Sequence, residues 1–255
     1  MYYHTVAPAG SETNAAAAQF LHGTLSRSSL DPSPSTLFHA WFRDAQTSGQ
    51  VPHPETMTLS TATLPSGRVS ARMVYLKTLD TSGFVFYSNF GTSRKAHDLE
   101  TNPYASLVFW WEPLERQVRV EGRVERLTRE ESQRYFDLRA RGSRCGAWAS
   151  RQSAVLNPRR SDGSTKTEDE HVDDDDGRAE LEEQVKEVET KFEGTEKIPV
   201  PDFWGGARVV PEVVEFWQGR DSRLHDRFVY TRVGKGDNKD AVEGEGVWKI
   251  DRLSP

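Results

Sequence analysis

The sequence predicts a mainly β protein with flanking α-helices, and three observations support this fold class. Five stretches between Met57 and Thr128 alternate or run apolar and are separated by Gly, Pro, Asp and Asn, which is typical of strands. Three further strand-like stretches follow near the end of the chain, and the segments between strands carry helix-capping signals. So many short strands indicate a barrel or a sandwich, and one such domain with decorations can account for 255 residues.

The helix signals come first along the chain. The segment DPSPST, residues 31–36, is a stop-and-cap signal, and apolar residues at 37, 38, 41 and 42 predict a first helix that ends near Gly49. Thr92 or Ser93 can cap a second helix, RKAHDLETN, which Pro103 ends. The capping-box pattern TREE, residues 128–131, predicts a third helix that continues toward Gly142.

The eight predicted strands share alternating or continuous apolar character. In chain order they are TMTLSTAT, RVSARMVYLK, GFVFYSN, YASLVFWWE, RQVRVEGRVERL, ARVVPEVVEFWQG, RLHDRFVYTR and GVWKIDRL.

Two segments lack the character of a packed core. Residues 1–30 have little periodicity and are predicted to be a mobile arm before a single domain, residues 31–255. Residues 157–180 contain seven acids between Glu168 and Asp176 and are predicted to be a disordered insertion, either solvated or binding a metal or partner. Helical character resumes at AELEEQVKEVETKF, and Pro199 and Pro201 are expected to end that helix.

Composition excludes several classes of function. A formal net charge of −6 argues against a general nucleic-acid binder. No apolar run approaches the roughly 18 residues that span a bilayer, so no membrane association is expected. The single cysteine, Cys145, excludes an internal disulfide and fits a reducing compartment, so the expected location is the cytoplasm. Rossmann, P-loop, GxSxG, HExxH and Cys/His metal motifs are all absent from the sequence, and no metal site is expected.

The strongest local cluster of chemistry is the segment RLHDR. A strand's period of two places Arg223, His225 and Arg227 on one face. Two guanidiniums beside an imidazole require an anion or carboxylates to offset their repulsion. The cluster is therefore either an anion site or an edge strand whose basic face pairs with acids elsewhere.

A second cluster is a stripe of Tyr135, Arg139 and Ser143, spaced four residues apart on the third predicted helix, which Gly142 is expected to terminate. A phenol, a guanidinium and a hydroxyl can together hold a phosphate. Spacing alone favours the other interpretation, an exposed helix face with Tyr135 half-buried.

Other candidate anion ligands are more scattered. Ser93, Arg94 and Lys95 lie at a helix start, where free N–H groups favour an anion. Arg72 and Lys77 would point to opposite faces of a strand, so they serve two anions or one of them is structural. Gln117 and the pair Gln152 and Ser153 are weak polar signals. Several such clusters on an acidic protein indicate that it binds phosphorylated small molecules.

From about Leu30 to Pro255, excluding the acidic insertion, the chain resembles the pyridoxamine 5′-phosphate oxidase family. The segments that carry the resemblance are RMVYLK, FYSNFGTSRKAHDLETNP, WEPLERQVRVEG, YFDLRARGSRCGAWASRQS, VPDFWGG, VEFWQG, RLHDRF and WKIDRLSP. The resemblance implies an FMN-binding split β-barrel that works as a homodimer, with FMN sites built from both chains at the interface. The FMN-binding positions that it implies are Arg72, Met73, Val74, Tyr75, Leu76, Lys77, Tyr87, Ser88, Arg94, Lys95, Gln117, Gln152, Ser153, Trp217 and Arg227.

The resemblance also implies a substrate site and a reaction. Lys77, Tyr135, Arg139 and Ser143 would hold the substrate phosphate, while Arg223 and His225 would act catalytically on the pyridine ring. The reaction moves a hydride from pyridoxamine or pyridoxine 5′-phosphate to the flavin, giving pyridoxal 5′-phosphate. Molecular oxygen then reoxidises the flavin to give hydrogen peroxide, and the amine substrate also releases ammonia.

The chain departs from the family's pattern at two places, and two alternative functions remain. The segment LHGTLSRSSL matches the family's N-terminal arm only loosely, with Arg27 the best candidate contact, and Cys145 stands where relatives commonly have an aliphatic residue. The alternatives are another split-barrel flavin oxidoreductase and a non-catalytic carrier of pyridoxal phosphate or FMN.

Overall fold

The computed structural model describes residues 20–158, 176–233 and 246–255. These residues form two compact units. Unit 1 comprises the described parts of residues 1–58, 106–121 and 211–255, and unit 2 comprises the described parts of residues 59–105 and 122–210. Most of the predicted arm and of the acidic insertion, residues 1–19 and 159–175, lies outside the described residues.

The described residues contain mostly strands, with helices between them. The helices are α1 (Pro34–Thr47), α2 (Arg94–Thr101), α3 (Arg129–Asp137), α4 (Arg141–Ala149) and α5 (Arg178–Lys191). The strands are β1 (Thr56–Thr63), β2 (Arg68–Tyr75), β3 (Thr78–Asp80), β4 (Gly83–Asn89), β5 (Tyr104–Trp111), β6 (Arg116–Arg126), β7 (Trp204–Gln218), β8 (Asp226–Arg232) and β9 (Trp248–Leu253). The predicted fold class is confirmed, and the short strand β3 is an addition to the predicted strands.

The three predicted helix starts are confirmed by their caps. The side chain of Ser33 accepts the N–H of Thr36 at the start of α1, and Ser93 caps α2 in the same way. Thr128 and Glu131 form the reciprocal capping box that opens α3. These bonds satisfy N–H groups that a helix leaves free in its first turn.

The predicted third helix is wrong in its extent. α3 ends at Asp137, and α4 begins at Arg141, so Gly142 lies inside α4 instead of ending a helix. The break lets Phe136 of α3 and Cys145 of α4 enter one apolar core, which a continuous helix with the polar run RARGSR could not fill. The stripe of Tyr135, Arg139 and Ser143 is therefore not a stripe on one helix.

The predicted strand RLHDRFVYTR is wrong at its start. β8 begins at Asp226, and residues Asp221–Arg223 form a 3₁₀ turn in which Ser222 and Arg223 have φ of 55° and 63°. The N–H of Arg220 donates to Nδ1 of His225 at 3.1 Å, which closes this turn ahead of the strand. The period of two consequently does not relate Arg223 and His225 to Arg227.

The helix after the insertion is confirmed, although both its boundaries differ from the prediction. It starts at Arg178, so the end of the predicted insertion is helical. It ends at Lys191, well before Pro199 and Pro201, because the chain turns at Gly194 with φ of 69°. Such a φ suits glycine, which has no Cβ to clash.

In unit 1, β7 pairs antiparallel with β8, which pairs with β9. The core is aromatic: Trp41 of α1 packs edge-on against Phe216 of β7, with ring centroids 5.2 Å apart, and Phe216 packs against Tyr230 of β8. The register places Trp217 directly opposite Arg227.

In unit 2, β4 pairs antiparallel with both β3 and the first half of β7. A separate core lies among α3, α4 and the segment that follows α5, and its buried residues are Phe136, Cys145, Ala147, Phe192, Ile198, Val200 and Trp204. The register places Tyr87 opposite Gly206, where an added Cβ would lie 2.9 Å from the Tyr87 ring and 2.5 Å from Leu127. Glycine is required here for the close approach of these side chains.

The substitution Gly206→Ala should lower the free energy of unfolding by about 2 kcal/mol, because a methyl group overpacks this contact. Gly146→Ala is the matched control: no atom of the described residues outside the helix backbone lies within 4 Å of its added Cβ, and alanine favours helix α4. Urea unfolding of both variants checks the expectation, and equal stabilities would contradict it.

Candidate active site

A cavity of about 380 Å³ lies in unit 2, beside the end of β2, strand β4 and the junction of α3 and α4. It is lined by Met73, Val74, Tyr75, Lys77, Tyr87, Ser88, Asn89, Tyr135, Arg139, Gln152 and Trp204. All of these except Asn89 and Trp204 are residues that the sequence singled out for ligand binding. The cavity therefore brings together residues that lie far apart in the sequence.

One wall of the cavity is aromatic. The rings of Tyr87 and Tyr135 stack with centroids 3.8 Å apart, and Trp204 lies nearly parallel to Tyr135. Burial raises the pKa of both phenols above the ordinary value, so each remains a neutral hydroxyl that can donate a hydrogen bond.

Arg139 lies against this wall, with its guanidinium 4.6 Å from the centroid of the Trp204 ring. Its Nη1 is buried and has no hydrogen-bond partner among the residues that the structure describes. Burial lowers the pKa of Arg139 from its ordinary value, and the nearby Tyr135 opposes that shift. Phosphate oxygens are acceptors that match such a buried guanidinium N–H well.

Ser143 lies two residues into α4 and is exposed, and it is not among the cavity residues. The N-cap of α4 is Ala140, whose side chain cannot accept a hydrogen bond from the first turn. An uncapped helix start offers free N–H groups and a positive dipole end to an anion. Arg139 and Ser143 flank this helix start.

A second polar group lies where the loop at residues 150–153 meets β4 and α2. Nζ of Lys95 donates to Oε1 of Gln152 at 2.6 Å, and the Ser88 hydroxyl lies 3.4 Å from the same oxygen. Lys95 is only 4% exposed, and burial followed by the charge of Arg72 lowers its pKa to about 8. Ser153 is exposed, with φ of 70°. The structure thus brings three predicted FMN-binding residues into contact.

Near this group, Asp98 is fully buried and accepts several hydrogen bonds. It accepts Nε of Arg94 at 2.9 Å and the hydroxyls of Thr61 and Thr63. Burial alone would raise the pKa of Asp98, but these hydrogen bonds together hold it below its ordinary value. Asp98 fixes Arg94 at the start of α2.

Arg72 belongs to the same network. Its Nη1 donates to the Thr61 hydroxyl at 2.8 Å, its Nη2 donates to Ser70, and Nη2 lies 3.9 Å from Asp98. Arg72 is therefore held by protein groups in unit 2.

In unit 1, Arg227 has protein partners too. Its Nε donates to the buried carboxylate of Glu215 at 2.8 Å, and its Nη1 donates to the carbonyl of Ser254 at 2.9 Å. Glu215 also accepts Arg119 at 2.6 Å. Pairing with acids, one of the two possibilities that the sequence left open, applies to Arg227. The half-buried Gln117 lies on β6, near Arg119 in sequence.

Arg223 and His225 differ from Arg227 in their surroundings. Arg223 is exposed and has the left-handed backbone of a strained position, a feature that is common at functional sites. The pKa of His225 is lowered by burial and by the charges of Arg223 and Arg227. Because Nδ1 accepts the N–H of Arg220, the neutral imidazole carries its proton on Nε2. The Nε2–H group is then a donor beside the Trp217 ring, whose centroid is 4.5 Å from that of His225.

Sequence reasoning missed several residues of these sites. Asn89 and Trp204 line the cavity, and Asp98 and Glu215 hold the arginines. Asp98 could have been found as the acid four residues after Arg94 on a helix, and Glu215 as the acid two residues before Trp217 on a strand.

Within the described residues, no three His, Cys, Asp or Glu side chains are grouped as they would be to hold a metal ion. None of the helices in that part of the chain is long and apolar enough to span a membrane.

Comparison with solved structures defines the class of protein. The crystal structure of PhzG from Burkholderia lata 383, in complex with tetrahydrophenazine-1-carboxylic acid, matches with a TM-score of 0.71 and 26% identity over 91% of this chain and 98% of that chain. A pyridoxamine 5′-phosphate oxidase-related, FMN binding protein from Nostoc punctiforme matches with a TM-score of 0.57 and 15% identity over 89% and 99%. The fold is therefore the split β-barrel of the FMN-binding proteins.

Sequence comparison defines the family. Residues 44–162 match the family model described as pyridoxamine 5′-phosphate oxidase, and residues 204–255 match the pyridoxine 5′-phosphate oxidase C-terminal dimerisation region. Pyridoxamine 5′-phosphate oxidase of Saccharomyces cerevisiae is 48% identical over 91% of this chain and 90% of its own length. Pyridoxine/pyridoxamine 5′-phosphate oxidase of Psychromonas ingrahamii is 49% identical over 87% of each chain. The chain belongs to the pyridoxamine 5′-phosphate oxidase family.

The substitution Asp98→Asn should lower the free energy of unfolding at pH 7 by about 3 kcal/mol, because it removes the buried counter-charge of Arg94 and Arg72. The folded pKa of Asp98 is depressed, so its stabilisation is complete above the unfolded pKa, about 4, and is lost as pH falls through the folded value. The difference between wild type and variant in urea unfolding should shrink accordingly at low pH. Glu100→Gln, on an exposed side chain of the same helix, should change little, and a similar loss there would contradict the assignment to Asp98.

Proposed function

We propose that the protein is an FMN-dependent oxidase that converts pyridoxamine 5′-phosphate and pyridoxine 5′-phosphate to pyridoxal 5′-phosphate, with molecular oxygen as the electron acceptor. The observation that carries the proposal is the buried Nη1 of Arg139 beside Tyr135, which has no hydrogen-bond partner within residues 20–158, 176–233 and 246–255. The chain's family and its curated relatives agree with a phosphorylated vitamer as the ligand.

The residues around Lys95 fit FMN. The buried Lys95 contacts the amide of Gln152 and forms no ion pair with a carboxylate among the described residues. Its positive charge is therefore available to pair with a phosphate. Ser88 and Gln152 add a hydroxyl and an amide, and Arg94 adds a second cation. We infer that these groups hold FMN, with the remaining FMN-binding positions named above. FMN supplies the two-electron oxidation, and its reoxidation by oxygen gives hydrogen peroxide.

The substrate phosphate has its own set of groups. Arg139 would donate through its buried Nη1, Tyr135 through its neutral hydroxyl, and Ser143 through its hydroxyl near the start of α4. Lys77 is exposed at the cavity and adds a cation. These contacts position the phosphate and leave the pyridine ring free to react.

Arg223 and His225 would act on the ring. The exposed guanidinium of Arg223 would hold the ring and stabilise the negative charge that develops on the substrate oxygen or nitrogen. His225 would donate from Nε2 and orient the same group, since its Nδ1 is already occupied by the N–H of Arg220.

We further propose that the protein works as a homodimer with FMN at the interface. The match to a C-terminal dimerisation region supports this proposal. Strand β2 also exposes Val69, Met73 and Tyr75, which are 80%, 61% and 51% exposed and are the kind of apolar surface that a second chain would cover.

The first experiment is a visible spectrum of the purified protein, followed by oxygen uptake on adding pyridoxamine 5′-phosphate. A yellow protein that consumes oxygen and forms pyridoxal 5′-phosphate supports the proposal. Anaerobic addition of pyridoxine 5′-phosphate should bleach the flavin. A yellow protein without bleaching would be a carrier or another flavin oxidoreductase, and a protein that cannot be reconstituted with FMN would overturn the proposal.

Arg139→Met should lower kcat/KM for pyridoxine 5′-phosphate about 100-fold, because a hydrogen bond to a charged phosphate is lost. Any turnover of pyridoxine, which lacks the phosphate, should barely change. Arg134→Met, on an exposed arginine of α3, is the matched control and should leave both values intact. An equal loss of kcat/KM for both substrates would show that Arg139 does not bind the phosphate.

Binding of FMN to the apoprotein should weaken above about pH 8, because Lys95 loses its proton near that pH. Between pH 7 and 9.5 the Kd should rise about tenfold, corresponding to one pKa unit of coupling. Quenching of flavin fluorescence measures this Kd. Lys95→Arg keeps the charge and should flatten the dependence, and riboflavin, which lacks the phosphate, should show none. A steep dependence for riboflavin would assign the effect to another group.

A further inference from the structure

The segment Phe20–Leu25, here called the strap, has no role in the proposed function. The ring of Phe20 packs edge-on against the indole of Trp217, with centroids 5.5 Å apart, and against the imidazole of His225 at 5.6 Å. It also meets Trp110 at 6.4 Å. A phenylalanine that contacts both a predicted FMN ligand and a predicted catalytic residue constrains the orientation of each.

Two buried carboxylates hold the backbone of the strap. Glu115, which is 6% exposed, accepts the N–H of Leu21 at 3.0 Å and the N–H of His22 at 2.8 Å. Asp226, which is 4% exposed, accepts the N–H of Leu25 at 3.0 Å. Hydrogen bonds to buried carboxylates are among the stronger ones in proteins. The strap is therefore fixed on both sides of Gly23.

Glycines make the close fit of the strap possible. A Cβ at Gly219 would lie 2.6 Å from Phe20, and a Cβ at Gly23 would lie 2.7 Å from the Gln218 side chain. A larger residue at either position would displace the strap. The two glycines therefore allow Phe20 to pack next to Trp217.

His225 is thus constrained from two directions. The N–H of Arg220 holds Nδ1, and the rings of Phe20 and Trp217 pack against the imidazole. The charged groups that face His225 are Arg223 from the turn and Arg227 from β8.

We infer that Phe20 is a positioning residue for the oxidation: anchored by Glu115, it fixes the orientation of His225 and Trp217 without a role in the chemistry itself. This inference rests on the proposed function, since it assigns to His225 the orientation of the substrate.

The test compares Phe20→Ala with Phe20→Leu, which keeps apolar cover, and with Leu21→Ala, whose side chain is 71% exposed in the same strap. The pKa of His225 is measured by NMR titration of its ring in the full-length protein, and His225→Asn assigns the signal. A general loss of stability would not change this pKa. Because burial lowers the pKa of His225, Phe20→Ala should raise that pKa toward its ordinary value. Phe20→Leu should raise it less, and Leu21→Ala should leave it unchanged.

Turnover gives the second readout. Phe20→Ala should lower kcat about tenfold through misorientation of the ring-facing group, while KM for the phosphorylated substrate changes little. Glu115→Gln should reproduce both effects in weaker form, because it keeps the Phe20 side chain but loosens the strap that positions it. The inference therefore remains testable if one variant folds poorly.

An unchanged His225 titration in folded Phe20→Ala would overturn the inference. The titration needs no substrate, so the two proposals fail separately. Absence of oxidation together with a shifted titration would remove the proposed function and leave Phe20 as a determinant of the His225 environment. Normal oxidation with an unshifted titration would remove the inference alone.

Discussion

The antiparallel pairing of β7 is the interaction on which the candidate site residues of each unit depend. In unit 2 its first half places Gly206 opposite Tyr87, and the missing side chain lets Tyr87 stack on Tyr135. In unit 1 its second half places Trp217 opposite Arg227. A shift of one residue would turn every one of these side chains to the other face of the strand.

Buried carboxylates perform the second task, which is to hold cations and backbone in place. Asp98 holds Arg94, and Glu215 holds Arg227, each through Nε of the arginine. Glu115 uses the same chemistry on backbone N–H groups of the strap. Burying a carboxylate is costly unless its oxygens are satisfied, so each of these acids occurs with several donors.

The arginines fall into two groups according to whether the protein supplies hydrogen-bond acceptors for them. Arg72 and Arg227 have protein acceptors, whereas Nη1 of Arg139 is buried without one in the described structure, and Arg223 is exposed on a strained turn. Protein acceptors fix the position of an arginine, while a buried N–H without an acceptor is suited to a ligand. This contrast distinguishes Arg139, the proposed phosphate ligand, from cations that the sequence could only group together.

The sequence by itself determined the fold class and the helix starts at Ser33, Ser93 and Thr128, because strand alternation and helix capping are local signals. Most of the residues around the cavity were predicted too, several of them only through the resemblance to the family. Only the tertiary structure decided the break between α3 and α4 and the turn that removes Arg223 and His225 from β8. It also decided which acids are buried beside which arginines. These features depend on the residues that each segment packs against. The identity of a residue does not show whether it is buried or which distant residues it contacts.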